Sequence, residues 1–166
     1  MRVTNENTGR RSFLKVMGAT GAVVAAAGAG LMKPVNSLAA NFPFPTEAFN
    51  KEGLDAAMKA ALGTTNVTEG KVSMKAPTIA ENGAVVPITA SSEMDAGKVA
   101  KFHLFVEKNP APYTARFHII ETGSAEVSTR IKMGETSKIM AVAETTDGQF
   151  FSATKEVRVT IGGCGG

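Results

Sequence analysis

Apolar positions along this chain change period near residue 70. Upstream, Leu54, Ala57, Met58, Ala61 and Leu62 fall at i, i+3, i+4, i+7 and i+8, which predicts a helix with one apolar stripe. A proline-broken stretch, Asn41-Phe42-Pro43-Phe44-Pro45, leads into it, and Thr46 stands where a helix cap is expected. Gly63 is a natural stop, while Gly53 inside the pattern weakens the first turn. From Lys71 onward the period is two. Strands are expected over 71–75, 84–90, 99–107, 116–122, 126–133, 138–144 and 150–161. Alternation is plainest in Val127, Thr129, Ile131 and Met133, opposed by Ser128, Arg130 and Lys132. It returns in Val157, Val159 and Ile161, opposed by Glu156, Arg158 and Thr160.

Asp147-Gly148 lies between two of these runs and should turn a hairpin. Pro87 lies within another, which places that strand at an edge or at a bulge. The pattern predicts a mainly β fold. It is an immunoglobulin-like antiparallel β-sandwich of about seven strands, preceded by a short N-terminal helix and followed by a flexible Gly-rich tail. No internal repeat or second domain is visible, and Asn109-Pro110-Ala111-Pro112 reads as a rigid loop within the sandwich.

The N-terminal segment belongs to another function. Arg10 and Arg11 stand in Gly9-Arg10-Arg11-Ser12-Phe13-Leu14-Lys15, the pattern of a twin-arginine export signal. An uncharged run from Val16 to Met32 follows, 17 residues long and rich in Ala and Gly, too short and too weakly apolar for a membrane span. Small residues at Ser37-Leu38-Ala39 suit cleavage before Ala40. The expected organisation is a signal peptide over 1–39, a β-sandwich with its helix over 40–161, and a carrier arm over 162–166. The expected location is the periplasm, reached by the twin-arginine route, without stable membrane insertion. Removing the signal leaves 13 basic and 14 acidic residues, so the formal +3 of the whole chain belongs to the signal. No nucleic-acid footprint remains.

Export gives the single cysteine its meaning. Cys164 sits in Gly162-Gly163-Cys164-Gly165-Gly166, where side-chain packing offers it little. One cysteine cannot form an internal disulfide, and an exposed thiol in an oxidising space is open to dimerisation and oxidation. A strand ending at Ile161 would put Cys164 roughly 10 Å farther along an extended arm. Elsewhere the chain offers little chemistry. His103 and His118 match no zinc spacing, no nucleophile elbow or phosphate loop occurs, and the carboxylates read as turn or strand-face charges. No metal site and no catalytic residue are expected in the body.

The tail and what precedes it resemble SoxY, the sulfur-carrying subunit of the bacterial thiosulfate-oxidising (Sox) system. The resemblance rests first on the run from Glu156 through Ile161 into Gly162-Gly163-Cys164-Gly165-Gly166. It continues in Ala80-Glu81-Asn82-Gly83-Ala84-Val85-Val86-Pro87, in Thr129-Arg130-Ile131-Lys132-Met133, and in the stretch from Ala141 to Gly148. It implies a carrier and not an enzyme, with a sulfur compound joined covalently to Cys164 and no other cofactor. Gly162, Gly163, Gly165 and Gly166 would supply reach and clearance. It also implies partners: a SoxZ-like β-sandwich subunit, a haem-containing enzyme that couples thiosulfate to the thiol, a hydrolase that releases sulfate, and a sulfane dehydrogenase.

Two other readings stand beside it. One is an assembly domain dimerising through an intermolecular Cys164 disulfide. The other is a sulfur carrier using a Gly165-Gly166 thiocarboxylate, which the export signal disfavours because that activation needs ATP. For an interface with a partner subunit, the apolar excess of Phe102, Leu104, Phe105 and Val106, and of Phe117, Ile119 and Ile120, is the candidate surface, with the sandwich core as the competing reading.

Overall fold

The computed structural model describes residues 44–121 and 123–163. The expected signal peptide with Arg10 and Arg11, and the end of the tail from Cys164 to Gly166, lie outside them. The described residues begin with two short helices, α1 (Thr46–Phe49) and α2 (Leu54–Leu62). Nine strands follow: β1 (Thr68–Glu69), β2 (Val72–Lys75), β3 (Ile79–Ala80), β4 (Val86–Ser92), β5 (Val99–Val106), β6 (Tyr113–His118), β7 (Glu126–Ile131), β8 (Ser137–Thr145) and β9 (Phe150–Val159). The larger sheet runs β1-β9-β8-β5-β6, with β3 also on β9, and the smaller runs β2-β4-β7. The mainly β sandwich expected from the period-two pattern is what forms.

The helical stripe forms as expected, but glycine divides its N-terminal end. The first helix ends at Phe49 with Asn50 at its C-terminal cap, and Gly53, at φ +81°, stands at the N-terminal cap of α2. Thr46 is the first helical residue and makes no cap; Pro45 precedes it with no side-chain hydrogen bond to the helix. At the other end Gly63 takes the left-handed conformation, and its N–H donates to the Lys59 carbonyl.

The core between the sheets holds Val86, Ile88, Phe102, Leu104, Val106, Ile131, Met133, Ile139, Ala141 and Val157. A second cluster lies on the opposite face of the larger sheet, where α1 and α2 supply Ala48, Ala57 and Met58 against Phe105, Tyr113 and Val142. This explains the apolar residues on both faces of β5: Phe102, Leu104 and Val106 enter one core while Phe105 enters the other, all fully buried. They are therefore core and not partner surface. Phe117 and Ile119 pack half-buried against the sandwich core, and only Ile120 of the candidate interface residues is strongly exposed.

Three details depart from the sequence pattern. Strand β6 starts at Tyr113, three residues before the expected 116, and ends at His118. Two-residue strands β1 and β3 pair parallel with β9, at opposite ends of one edge. Pro87 lies in β4, the central strand of its sheet, opposite Arg130 of β7. It is tolerated because β2 stops pairing at Thr89, so Pro87 has no strand partner on that side. The Asp147-Gly148 hairpin forms, with Gly148 at φ +81°.

Under the helices a charged network crosses three strands. His103 on β5 is buried, with Nδ1 2.8 Å from the Tyr113 hydroxyl and Nε2 3.0 Å from Glu144 Oε2. Glu144 also accepts from Lys101 Nζ. An ionised carboxylate only accepts, so Nε2 carries the proton, and a neutral ring must then accept from the Tyr113 O–H at Nδ1. Burial, the largest influence, lowers the His103 pKa against the pull of Glu144, with Lys101 and Arg116 adding to the lowering. The His103 hydrogen bond leads in holding Glu144 down to about 2. Burial raises the Tyr113 pKa, which keeps its hydroxyl a donor.

The sign of the pH dependence follows. Both folded pKa values are depressed, so the unfolded chain binds more protons in acid and stability falls as pH falls. The His103 contribution begins to be lost below its ordinary 6.5, and the Glu144 contribution is lost between 4.5 and about 2. Glu144→Gln, which removes a charge-assisted bond, should cost about 1.5–3 kcal/mol at neutral pH and flatten the acid limb. Urea midpoints from pH 7 to pH 3 check this. An unchanged acid limb in the variant would show that the network does not set it.

Candidate functional site: the glycine cradle at the root of the tail

Strand β9 ends at Val159, but the ordered packing continues past it. The Thr160 N–H donates to the Ala80 carbonyl at 3.1 Å, and the Thr160 hydroxyl donates to the Glu81 carbonyl at 3.0 Å. Three backbone bonds then tie three segments together. The Gly83 N–H donates to the Ile161 carbonyl at 2.7 Å, the Met133 N–H donates to the Gly83 carbonyl at 2.7 Å, and the Gly163 N–H donates to the Met133 carbonyl at 3.0 Å. The tail is thus joined to the turn before β4 and to the connection between β7 and β8.

Glycine is needed here for room. A Cβ on Gly83 would lie 2.3 Å from the Met133 carbonyl oxygen, and one on Gly162 would lie 2.2 Å from that of Gly134. A Cβ on Gly163 would lie 2.7 Å from the Ala84 nitrogen. Real side chains do not approach backbone so closely. None of these three glycines has a positive φ, so conformational freedom is not the reason for them.

The cradle is braced from behind. Asn109 is buried, its amide donates to the Lys132 carbonyl at 2.9 Å, and its carbonyl accepts from the Gly134 N–H at 3.0 Å. The rigid Asn109-Pro110-Ala111-Pro112 loop therefore holds the strand connection that receives the tail. Sequence reasoning saw the loop but not this role. The available sequence signal was an asparagine directly before the Pro110-Ala111-Pro112 stretch.

Of the expected site residues, the structure describes Gly162 and Gly163. Both were expected in a free arm starting after Ile161. In the structure Gly163 is buried and its N–H is hydrogen-bonded to the Met133 carbonyl. Cys164, Gly165 and Gly166 lie outside the described residues. His103 and His118 are not brought together as ligands: His103 is used in the network above and His118 is exposed at the end of β6. Among the described residues no group of three or more His, Cys, Asp or Glu side chains is placed to hold a metal ion. No helix among them is long and apolar enough to cross a membrane.

The profile of the family described as "Sulfur oxidation protein SoxY" matches residues 58–164, through the core strands, the cradle and up to the cysteine. The chain belongs to the SoxY family. Among solved structures, the sulfur carrier protein SoxY from Chlorobium limicola f thiosulfatophilum is 34% identical, with a TM-score of 0.57, over 66% of this chain and 97% of that one. A superoxide reductase (neelaredoxin) from Ignicoccus hospitalis aligns at 13% identity and a TM-score of 0.47 over 54% of this chain and 80% of its own. No curated protein matches by sequence. For this SoxY protein, Gly83→Ala should cost about 1–3 kcal/mol, the usual range for forced overpacking. Gly134→Ala, whose Cβ would meet only Asn109 Oδ1 at 3.8 Å, should lie within about 0.5 kcal/mol of the parent. Chemical denaturation of the pair checks both, and equal stability would show that the cradle is looser than drawn.

Proposed function

We propose that this SoxY protein is a covalent sulfur carrier of periplasmic thiosulfate oxidation, exported by the twin-arginine route through Arg10 and Arg11. The observation that carries the reading is the family match running up to Cys164, directly after a tail root seated on the sandwich end. Support also comes from the 34% identical solved relative, which is itself a sulfur carrier.

On this reading Cys164 is the attachment point and the protein is a substrate of its partners. A haem-containing enzyme removes two electrons as the thiol sulfur joins the sulfane sulfur of thiosulfate, giving a cysteine S-thiosulfonate and releasing the thiol proton. Water then cleaves the terminal sulfone as sulfate in a partner hydrolase, leaving sulfane sulfur on Cys164 for a sulfane dehydrogenase or for release. A SoxZ-like subunit completes the carrier. A free cysteine has a pKa near 8.5, and the tail sequence places no cation beside Cys164 to lower it. Activation of the sulfur then falls to the partners, and the carrier alone is a weak nucleophile.

Cys164→Ser should abolish thiosulfate-dependent sulfate formation in a reconstituted system while leaving the unfolding midpoint unchanged. Deleting Gly166 should not abolish it, in contrast to a terminal thiocarboxylate carrier. Normal turnover by Cys164→Ser would end the proposal. A reductant-sensitive dimer without any sulfur adduct would favour an assembly domain.

A further inference from the structure

The root of the tail is built in a way that the fold does not require. Strand β9 is complete at Val159 and the core is closed by Val157 and Met133, yet two further glycines are fitted against backbone. Gly163 is buried with its N–H on the Met133 carbonyl, and Gly162 lies so close to the Gly134 carbonyl that no Cβ fits between them. Asn109 fixes the receiving segment by bonding on both sides of Met133, to the Lys132 carbonyl and the Gly134 N–H. A seat made this way is specific in shape and weak in strength. Glycine brings no side chain, so lifting it exposes little apolar surface and the hydrophobic effect hardly opposes release. What holds Gly163 is one backbone hydrogen bond and close contact.

We propose that Gly162 and Gly163 form a reversible latch, seated in a cradle of Gly83, Ala84, Met133 and Gly134, that sets the reach of the carrier arm. This rests on the carrier reading above. With the latch closed, the arm begins at the junction of Gly163 and Cys164. With it open, two more residues join the arm and its reach grows by about 7 Å. The Ile161 carbonyl, held by the Gly83 N–H, is the hinge in the open state. Asn109, Gly83 and Gly134 are positioning residues that shape the cradle. A partner enzyme whose reacting centre lies deep can draw the arm out by opening the latch, while the sandwich stays folded.

The test uses the full chain without sulfur cargo. A nitroxide on Cys164, the single cysteine, reports arm mobility by electron paramagnetic resonance. Amide exchange at Gly163 reports the latch directly in the parent protein. The expected result is Gly163 exchange at least tenfold slower than that of Gly165, and a label that becomes markedly more mobile in Gly162→Ala and in Gly163→Ala. Gly97→Ala, outside the cradle and with no heavy atom within 4 Å of its Cβ, should keep the parent spectrum. The body should unfold at the parent midpoint in Gly163→Ala, which separates a latch from a part of the core. Gly163 exchange as fast as Gly165, or a label equally mobile in parent and both tail variants, would overturn the latch. These readouts involve no sulfur chemistry, so they are independent of the Cys164→Ser result that decides the carrier reading.

Discussion

Strand β9 is paired along both of its edges, and the position of the tail depends on that pairing. Along one edge it bonds to β8 from Phe150 to Val157, and along the other it meets β1 at Phe151 and Ser152 and β3 at Arg158 and Val159. The two parallel contacts are short, but they lie near opposite ends of β9 and fix its direction. They also cover a sheet edge that would otherwise offer unpaired backbone to another chain. Because β3 runs directly into the Glu81-to-Val85 turn, the element that caps the edge of β9 also brings Gly83 to the tail. The exit of the chain toward Cys164 is thereby set by backbone hydrogen bonds, with the Thr160 hydroxyl and the Asn109 side chain supporting them.

The opposite face of the larger sheet gives that arrangement its rigidity. Phe49, Phe105 and Tyr113 pack together there, with ring centroids 4.5 Å and 5.0 Å from Tyr113, beneath α1 and α2. The Tyr113–His103–Glu144–Lys101 chain joins β6, β5 and β8 across the same face. Its polar groups satisfy one another, which is why a buried histidine and a carboxylate can sit there. These four side chains are thus engaged in holding the sheet.

Much of this was legible in the sequence wherever a period existed to be read. The α2 stripe from Leu54 to Leu62 and the alternations of β7 and β9 were plain because one face of each is buried. What escaped was short or non-local. β1 and β3 have two residues each and carry no period. β6 was placed too late because apolar Ile119 and Ile120 beyond its end drew the boundary downstream, while Thr114 and Ala115 within it are unremarkable. Pro87 suggested an edge strand, since the sequence does not say that β2 stops short of it. At the tail, the glycines flanking Cys164 read as freedom. Glycine pattern does not separate freedom from close approach, and for Gly162 and Gly163 the backbone of Gly83, Ala84 and Gly134 decides for approach.

The claim that organises the account is that sulfur travels on Cys164. The direct measurement is the intact mass of the protein taken from the periplasm of thiosulfate-grown cells, with and without reductant, followed by mapping of the C-terminal peptide. The account predicts added mass on the Cys164 peptide, matching sulfane sulfur or a thiosulfonate and lost on reduction. A bare thiol throughout, or a disulfide-linked dimer as the sole modified form, would contradict it.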